Sequence, residues 1–289
     1  MKTSVSRTTM KLINVYGGTG TIGSVFCKRY DEQVNVMWRS RVYTHIPGPI
    51  LYLISTTHNY NIFDDPHKDV DTNLTWFIEV LESWRKNHPD EVFNFVSSWF
   101  VYGDGYDEKP ALETDPCNPK GWYSITKRTA ELMLISYCQT FNLKYRILRL
   151  GNVIAPADKN ISAQKNALQY LINKMKAGEE IEIYEGGTFY RNYTHVNDTV
   201  EAIKLVMDKG ELNTIYNIGF PANVKFIDLL MYVKKEIKYQ KDFKFVPQKE
   251  FHKVVQTKSF KLDTTKLQRL GFKPRMDIHA ALDTCIYPK

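Results

Sequence analysis

The segment Val15-Tyr16-Gly17-Gly18-Thr19-Gly20-Thr21-Ile22-Gly23 constrains this chain more than any other. An apolar run over residues 11–16 predicts a strand leading into it, and the pattern over 21–30 predicts a helix leaving it. Gly17, Gly20 and Gly23 fall in the turn between the two. A tight strand-to-helix turn needs backbone tolerant of positive φ, and close approach of a diphosphate leaves no room for a Cβ. The helix opening adds unpaired N–H groups and the positive end of its dipole. In this context the turn predicts a dinucleotide-binding α/β fold, with Gly17, Gly20, Thr21, Ile22 and Gly23 holding the cofactor.

The rest of the first half keeps the rhythm such a fold requires. Strands are predicted over 33–38, 50–55, 91–101 and 144–150, and helices over 69–86 and 122–141. This alternation predicts a doubly wound parallel sheet of Rossmann type. Ser55 and Thr56, at the end of the third strand, join the expected cofactor set. After Gly151 the elements become shorter and mixed, with a helix near 163–177 and a strand over 181–184. The expected division is a dinucleotide-binding domain over 11–153, with return segments near 192–219. A smaller mixed α/β substrate lobe would take 154–191 and 220–289, and residues 1–10 would form a flexible extension.

An NAD site would place Asp or Glu after the second strand to take both ribose hydroxyls. Here that strand runs into Met37-Trp38-Arg39-Ser40-Arg41, with no acid in reach. Arg39 and Arg41 can pair with a 2′-phosphate and Ser40 can donate to it, which favours NADP(H) over NAD(H).

The second informative stretch is Tyr123-Ser124-Ile125-Thr126-Lys127. Four residues apart on a helix, Tyr123 and Lys127 share a face. A free phenol has a pKa near ~10. A neighbouring ammonium and an oxidised nicotinamide both favour the phenolate and bring it into working range. The spacing alone is weak, since Tyr170 and Lys174 repeat it. Position separates the two pairs: only Tyr123 follows a strand ending Val96-Ser97-Ser98, which sets the Ser98 hydroxyl at the edge of the sheet.

The formal net charge is +7, but the lysines are dispersed rather than blocked, which argues against a nucleic-acid partner. No apolar run reaches the roughly 18 residues of a membrane span. Cys27, Cys117, Cys138 and Cys285 show neither disulfide-framework nor zinc spacing, so a reducing, cytoplasmic setting without a metal is expected.

Taken together, these residues resemble the extended short-chain dehydrogenase/reductase family of nucleotide-sugar epimerases, dehydratases and ketoreductases. The resemblance runs from about residue 11 to 285. It continues beyond the two opening stretches through Arg149-Leu150-Gly151-Asn152-Val153, Arg191-Asn192-Tyr193-Thr194-His195-Val196-Asn197-Asp198 and Tyr216-Asn217-Ile218-Gly219. It implies Tyr123 as acid/base, Lys127 as ligand of the nicotinamide ribose and Ser98 as partner of the reacting sugar oxygen. It also implies Asn152 and Arg191 as contacts to the diphosphate of a nucleotide sugar.

Departures from the family pattern narrow the chemistry. Dehydratases of the family carry an Asp-Glu pair directly after the serine, where this chain has Trp99 and Phe100. Members that epimerise C3 and C5 place a cysteine two residues after the serine, here again Phe100. The segment between Arg41 and Ile50 is too short for the family's full extra strand and Asp-rich turn, so the sheet is expected to be one strand short or to have a trimmed one there. What remains is hydride chemistry at one carbon. The leading expectation is an NADPH-dependent 4-ketoreductase of a nucleotide-linked 4-keto-6-deoxy sugar. A 4-epimerase that retains its cofactor is the alternative, and a catalytically silent NADP(H)-binding protein a third reading. A homodimer through the helices over 69–86 and 122–141 is also implied.

Overall fold

A computed structural model of the protein describes residues 11–38, 46–156, 158, 161–255 and 258–288. Arg39, Ser40, Arg41 and the first ten residues lie outside the described residues.

Six strands form the central sheet: β1 (Ile13–Tyr16), β2 (Val34–Met37), β3 (Ile50–Tyr52), β4 (Val92–Ser98), β5 (Lys144–Leu150) and β6 (Thr214–Ile218). Their order is β6-β5-β4-β3-β1-β2, and every pairing is parallel. β3 pairs directly with β1, Tyr16 opposite Tyr52, so β2 is the outer strand among the described residues. Among the described residues no strand lies between β2 and β3 in the chain.

Successive strand residues feed opposite faces, as the pleat requires. Tyr16, Tyr52, Phe93 and Phe95 pack on one face against Phe77, Val80 and Trp84 of α2 (Trp76–Asn87) and Ala130 and Leu134 of α3 (Trp122–Phe141). Val15, Leu51, Val96 and Leu148 pack on the other. There they meet Phe26 of α1 (Thr21–Arg29) and Val200, Ile203 and Val206 of a helix over Val196–Lys209. Helices on both faces make the sheet doubly wound.

A second core gathers Ile154 from the short strand Asn152–Ile154, Leu168 and Ile172 from the helix Ala167–Lys176, Leu229, Leu230 and Val233 from Phe226–Glu236, and Leu282 and Ile286 from Ile278–Ile286. Short two-stranded pairings accompany it, such as Glu182–Tyr184 with Lys244–Val246.

The helix expected over 69–86 is in three pieces. A short turn, Lys68–Val70, passes through a π-helical segment, Asp71–Thr75, into α2. The wider π turn lies where Asn73 turns inward to the loop after β3 instead of continuing the apolar stripe. The strands expected over 50–55 and 91–101 end earlier, at Tyr52 and Ser98, because the chain leaves the ladder there to line a cleft.

Among the described residues no helix is long and apolar enough to cross a membrane.

Candidate functional site

A cavity of about 1700 Å³ opens at the carboxyl ends of β1, β3, β4 and β5. Its wall includes Gly17, Gly20, Thr21, Ile22 and Gly23, then Ser55 and Thr56, then Ser98, Tyr123 and Lys127, and finally Asn152 and Arg191. The fold therefore collects every described residue singled out in the sequence into one space. Arg39, Ser40 and Arg41, expected at the 2′-phosphate, lie outside the described residues.

The glycine turn has the geometry of a cradle. Gly17 sits at φ +87°, and a Cβ there would lie 3.0 Å from the Leu53 and Ile54 backbone. At Gly23 a Cβ would stand 2.2 Å from the Gly17 carbonyl oxygen. Both positions therefore demand glycine. Helix α1 opens with Gly20 as its N-cap, without a side-chain cap and without an acid in its first turn. Its terminal N–H groups and dipole face the cavity uncontested, which suits the diphosphate of a dinucleotide.

Across the cavity, α3 presents Tyr123 and Lys127 from consecutive turns. Ser98 closes β4 beside Tyr123 on the cavity wall, and the Ser98 Oγ accepts the Phe100 N–H at 3.3 Å. Burial raises the Tyr123 pKa, and Ser98 partly offsets that rise while the Asp69 carboxylate adds to it. The Lys127 Nζ donates to the Val96 carbonyl at 2.6 Å and lies 4.1 Å from the centre of the Phe95 ring. Burial lowers its pKa to about 7, with Glu131 one turn further on opposing the fall. The sequence predicts an ammonium pulling the phenol toward neutrality. In the folded protein burial dominates instead, because desolvation penalises the charged form of both groups.

Phe100 stands edge-on to Tyr123, with ring centres 6.1 Å apart, and stacks on Trp99 at 4.2 Å. Trp99 is wedged against Phe260 at 4.6 Å. Arg191 lies over the Phe189 ring at 4.5 Å and near Trp99 at 5.2 Å, and donates to the Tyr190 and Lys258 carbonyls at 2.7 and 2.9 Å. Desolvation lowers its pKa to about 10, which leaves it a cation at neutral pH. Asn152 donates to the Asn192 carbonyl at 3.0 Å.

Several wall residues carried no signal in the sequence. Asn59, Tyr60 and His252 line the same cavity. The Tyr60 hydroxyl is hydrogen-bonded to the His252 ring, and Asn59 donates to the Val255 carbonyl at 3.3 Å. These contacts join the loop after β3 to the helix Glu250–Val255 across nearly 200 residues, beyond the reach of any local pattern.

With the site described, comparison with known proteins is decisive at the family level. The model of the NAD dependent epimerase/dehydratase family matches residues 47–219. The chain belongs to this family. Among curated relatives, the low-salt glycan biosynthesis protein Agl12 of Haloferax volcanii is 27% identical over 192 residues, 66% of this chain and 59% of that protein. A dTDP-D-glucose 4,6-dehydratase of Dictyostelium discoideum is 28% identical over 190 residues, 62% of this chain and 43% of its own. The chain thus spans about half the length of these first relatives. Among solved structures, the UDP-glucose 4-epimerase of Thermotoga maritima with UDP-glucose superposes with a TM-score of 0.82 at 24% identity, covering 95% of this chain and 97% of that one. RMD from Pseudomonas aeruginosa, complexed with NADPH, gives 0.81 at 19%, covering 96% and 98%. At these identities the structural likeness speaks for the fold.

The buried lysine makes a stability prediction. A pKa of about 7 in the folded protein lies below the roughly 10.4 of an exposed lysine. Unfolding therefore takes up a proton between those values, and stability rises with pH across that window. Urea unfolding of the wild type should gain stability from pH 7 to pH 9 relative to Lys127→Met. Parallel pH dependences for the two proteins would contradict the assignment.

Proposed function

We propose that this family member is an NADPH-dependent 4-ketoreductase acting on a nucleotide-diphosphate-linked 4-keto-6-deoxy sugar. The observation that carries the reading is the pairing of a Ser98–Tyr123–Lys127 set with an aromatic wall, Trp99 and Phe100, beside the acid/base tyrosine. Dehydration or epimerisation at neighbouring carbons needs a carboxylate or thiol in that place to take and return a proton. An aromatic ring does neither.

The reduced nicotinamide, when bound with its diphosphate on the Gly17–Gly23 turn, supplies the electron pair and hydrogen for the ketone carbon. Tyr123 gives its phenolic proton to the ketone oxygen, and Ser98 hydrogen-bonds that oxygen as charge develops on it. Lys127 holds the nicotinamide ribose and favours the phenolate left behind. Arg191, still charged inside its aromatic surround, and Asn152 take the substrate diphosphate. Arg39, Ser40 and Arg41 would take the cofactor 2′-phosphate, and the absence of an acid after β2 supports NADPH. The second hydrophobic core acts as the substrate lobe, over 154–191 and 220–289. The four free cysteines support a reducing, cytoplasmic setting.

Purified protein given NADPH and a nucleotide-linked 4-keto-6-deoxy sugar should oxidise NADPH one-for-one with product. Tyr123→Phe should lower kcat by about 10²- to 10⁴-fold while NADPH binding persists. Tightly retained NAD⁺ with no net NADPH consumption would instead make the protein a 4-epimerase.

A homodimer through α2 and α3 accompanies this reading, supported by exposed Ile78 on α2 and Ile125 and Leu132 on α3. Light scattering at micromolar concentration should give twice the chain mass, and a monomer would refute it.

A further inference from the structure

Behind the cavity wall lies a buried polar chain that the proposed chemistry leaves unused. Asp69 is fully buried on the turn before the π segment. Its Oδ1 accepts from the Thr56 hydroxyl, and from Asn61 Nδ2 at 3.1 Å. Asn73 then donates to the Thr56 and Thr126 hydroxyls, each at 2.8 Å. Its amide orientation is fixed, because its Oδ1 accepts the Thr56 backbone N–H at 2.9 Å and the Ser55 hydroxyl at 3.0 Å. Thr126 completes the path by donating to the Trp122 and Tyr123 carbonyls at 2.8 and 3.1 Å. Every link is therefore made from Asp69 to the backbone of the acid/base residue.

The second oxygen of Asp69, Oδ2, is buried without a partner among the described residues. A carboxylate oxygen left unpaired away from water is costly, and folds keep one where its field does something. Its field reaches two titratable groups, Tyr123 and His58.

We propose that Asp69 is a positioning residue for Tyr123. It anchors the Thr56–Asn73–Thr126 chain that ties the loop after β3 to the first turn of α3, and its buried, unpaired oxygen disfavours a second negative charge at the turn that carries Tyr123. Ketone reduction requires the tyrosine to give up a proton, so a tyrosine resting as the phenol is primed for that direction. A tyrosine that must first strip an alcohol would need the opposite bias. This inference rests on the reading of Tyr123 as proton donor.

The other groups facing the pair are identifiable. Lys127 lies one turn along α3 with Glu131 beyond it, and Ser98 closes β4. In the loop after β3, burial lowers the His58 pKa, and Lys68 and Lys165 add to that while Asp69 and Asp64 oppose it. Asp69 is the one carboxylate of this group whose charge raises the Tyr123 pKa.

The test follows the ionisation of Tyr123 directly, in protein carrying ¹³Cζ-tyrosine, by NMR across pH, with and without saturating NADP⁺. The resonance missing from Tyr123→Phe identifies the residue. Asp69→Asn, which keeps the shape and the acceptor for Thr56, should move the Tyr123 midpoint to lower pH by about half a pH unit, a threefold change in ionisation constant. Asp69→Ser should move it the same way and serves if the amide misfolds. A midpoint unchanged in both variants, even with lowered melting temperatures, overturns the proposal, since a purely structural Asp69 would destabilise without moving that titration. Failure to bind NADP⁺ would contradict the proposed function instead, and the inference is then decided on the unliganded protein by the same resonance.

Discussion

One buried ion pair determines where the chemistry of this protein stands. Glu131 on α3 and Arg149 on β5 meet through two hydrogen bonds of 3.0 and 2.8 Å, and Arg128 adds a third contact at 2.7 Å. Taking such charges out of water offsets much of their attraction, so the pair adds little net stability. Removing one partner, however, costs on the order of 3–5 kcal/mol. Its consequence is register. Apolar packing alone would let α3 slide or rotate on the sheet. A bidentate pair fixes which turn of α3 lies over which strand. Lys127, one turn before Glu131, then reaches the Val96 carbonyl, and Tyr123 stands beside Ser98.

The same burial that makes the pair exacting sets the chemistry above it. Desolvation pushes Tyr123 toward its neutral form and Lys127 toward its own. The aromatic rings at 99 and 100 line the cavity beside Tyr123, and hydrogen bonds from Asp69 through Thr56, Asn73 and Thr126 tie the tyrosine turn to the loop after β3. On the proposed reading, a phenol held in its neutral form can give a proton to a ketone, and an anionic cofactor brought beside Lys127 would restore the lysine's charge. The glycine turn completes the arrangement from the opposite side of the cavity, offering backbone N–H groups where side chains would block approach.

The parts legible in the sequence are those governed by short spacing. Gly17 and Gly23 betray the turn because sterics permit nothing else there, and Tyr123 and Lys127 betray their helix face. The shortening between Arg41 and Ile50 was legible as well, from the length of the chain between two strands alone. What escaped depends on tertiary contact. Asp69 and Asn73 read as ordinary polar residues until the π turn folds Asn73 inward. Tyr60 and His252 meet only because the later core carries the helix Glu250–Val255 back over the cleft. The neutral tendency of Lys127 was equally hidden, because spacing reports a neighbour and says nothing about the water excluded around it.

The most direct measurement of the central claim is the fate of deuterium carried on the reactive nicotinamide carbon of NADPH. With a nucleotide-linked 4-keto-6-deoxy sugar, the account predicts one deuterium per product, at C4 alone, with no solvent hydrogen entering C3 or C5. Label retained on the cofactor after turnover, or solvent hydrogen appearing at C3 or C5, would contradict single-carbon reduction.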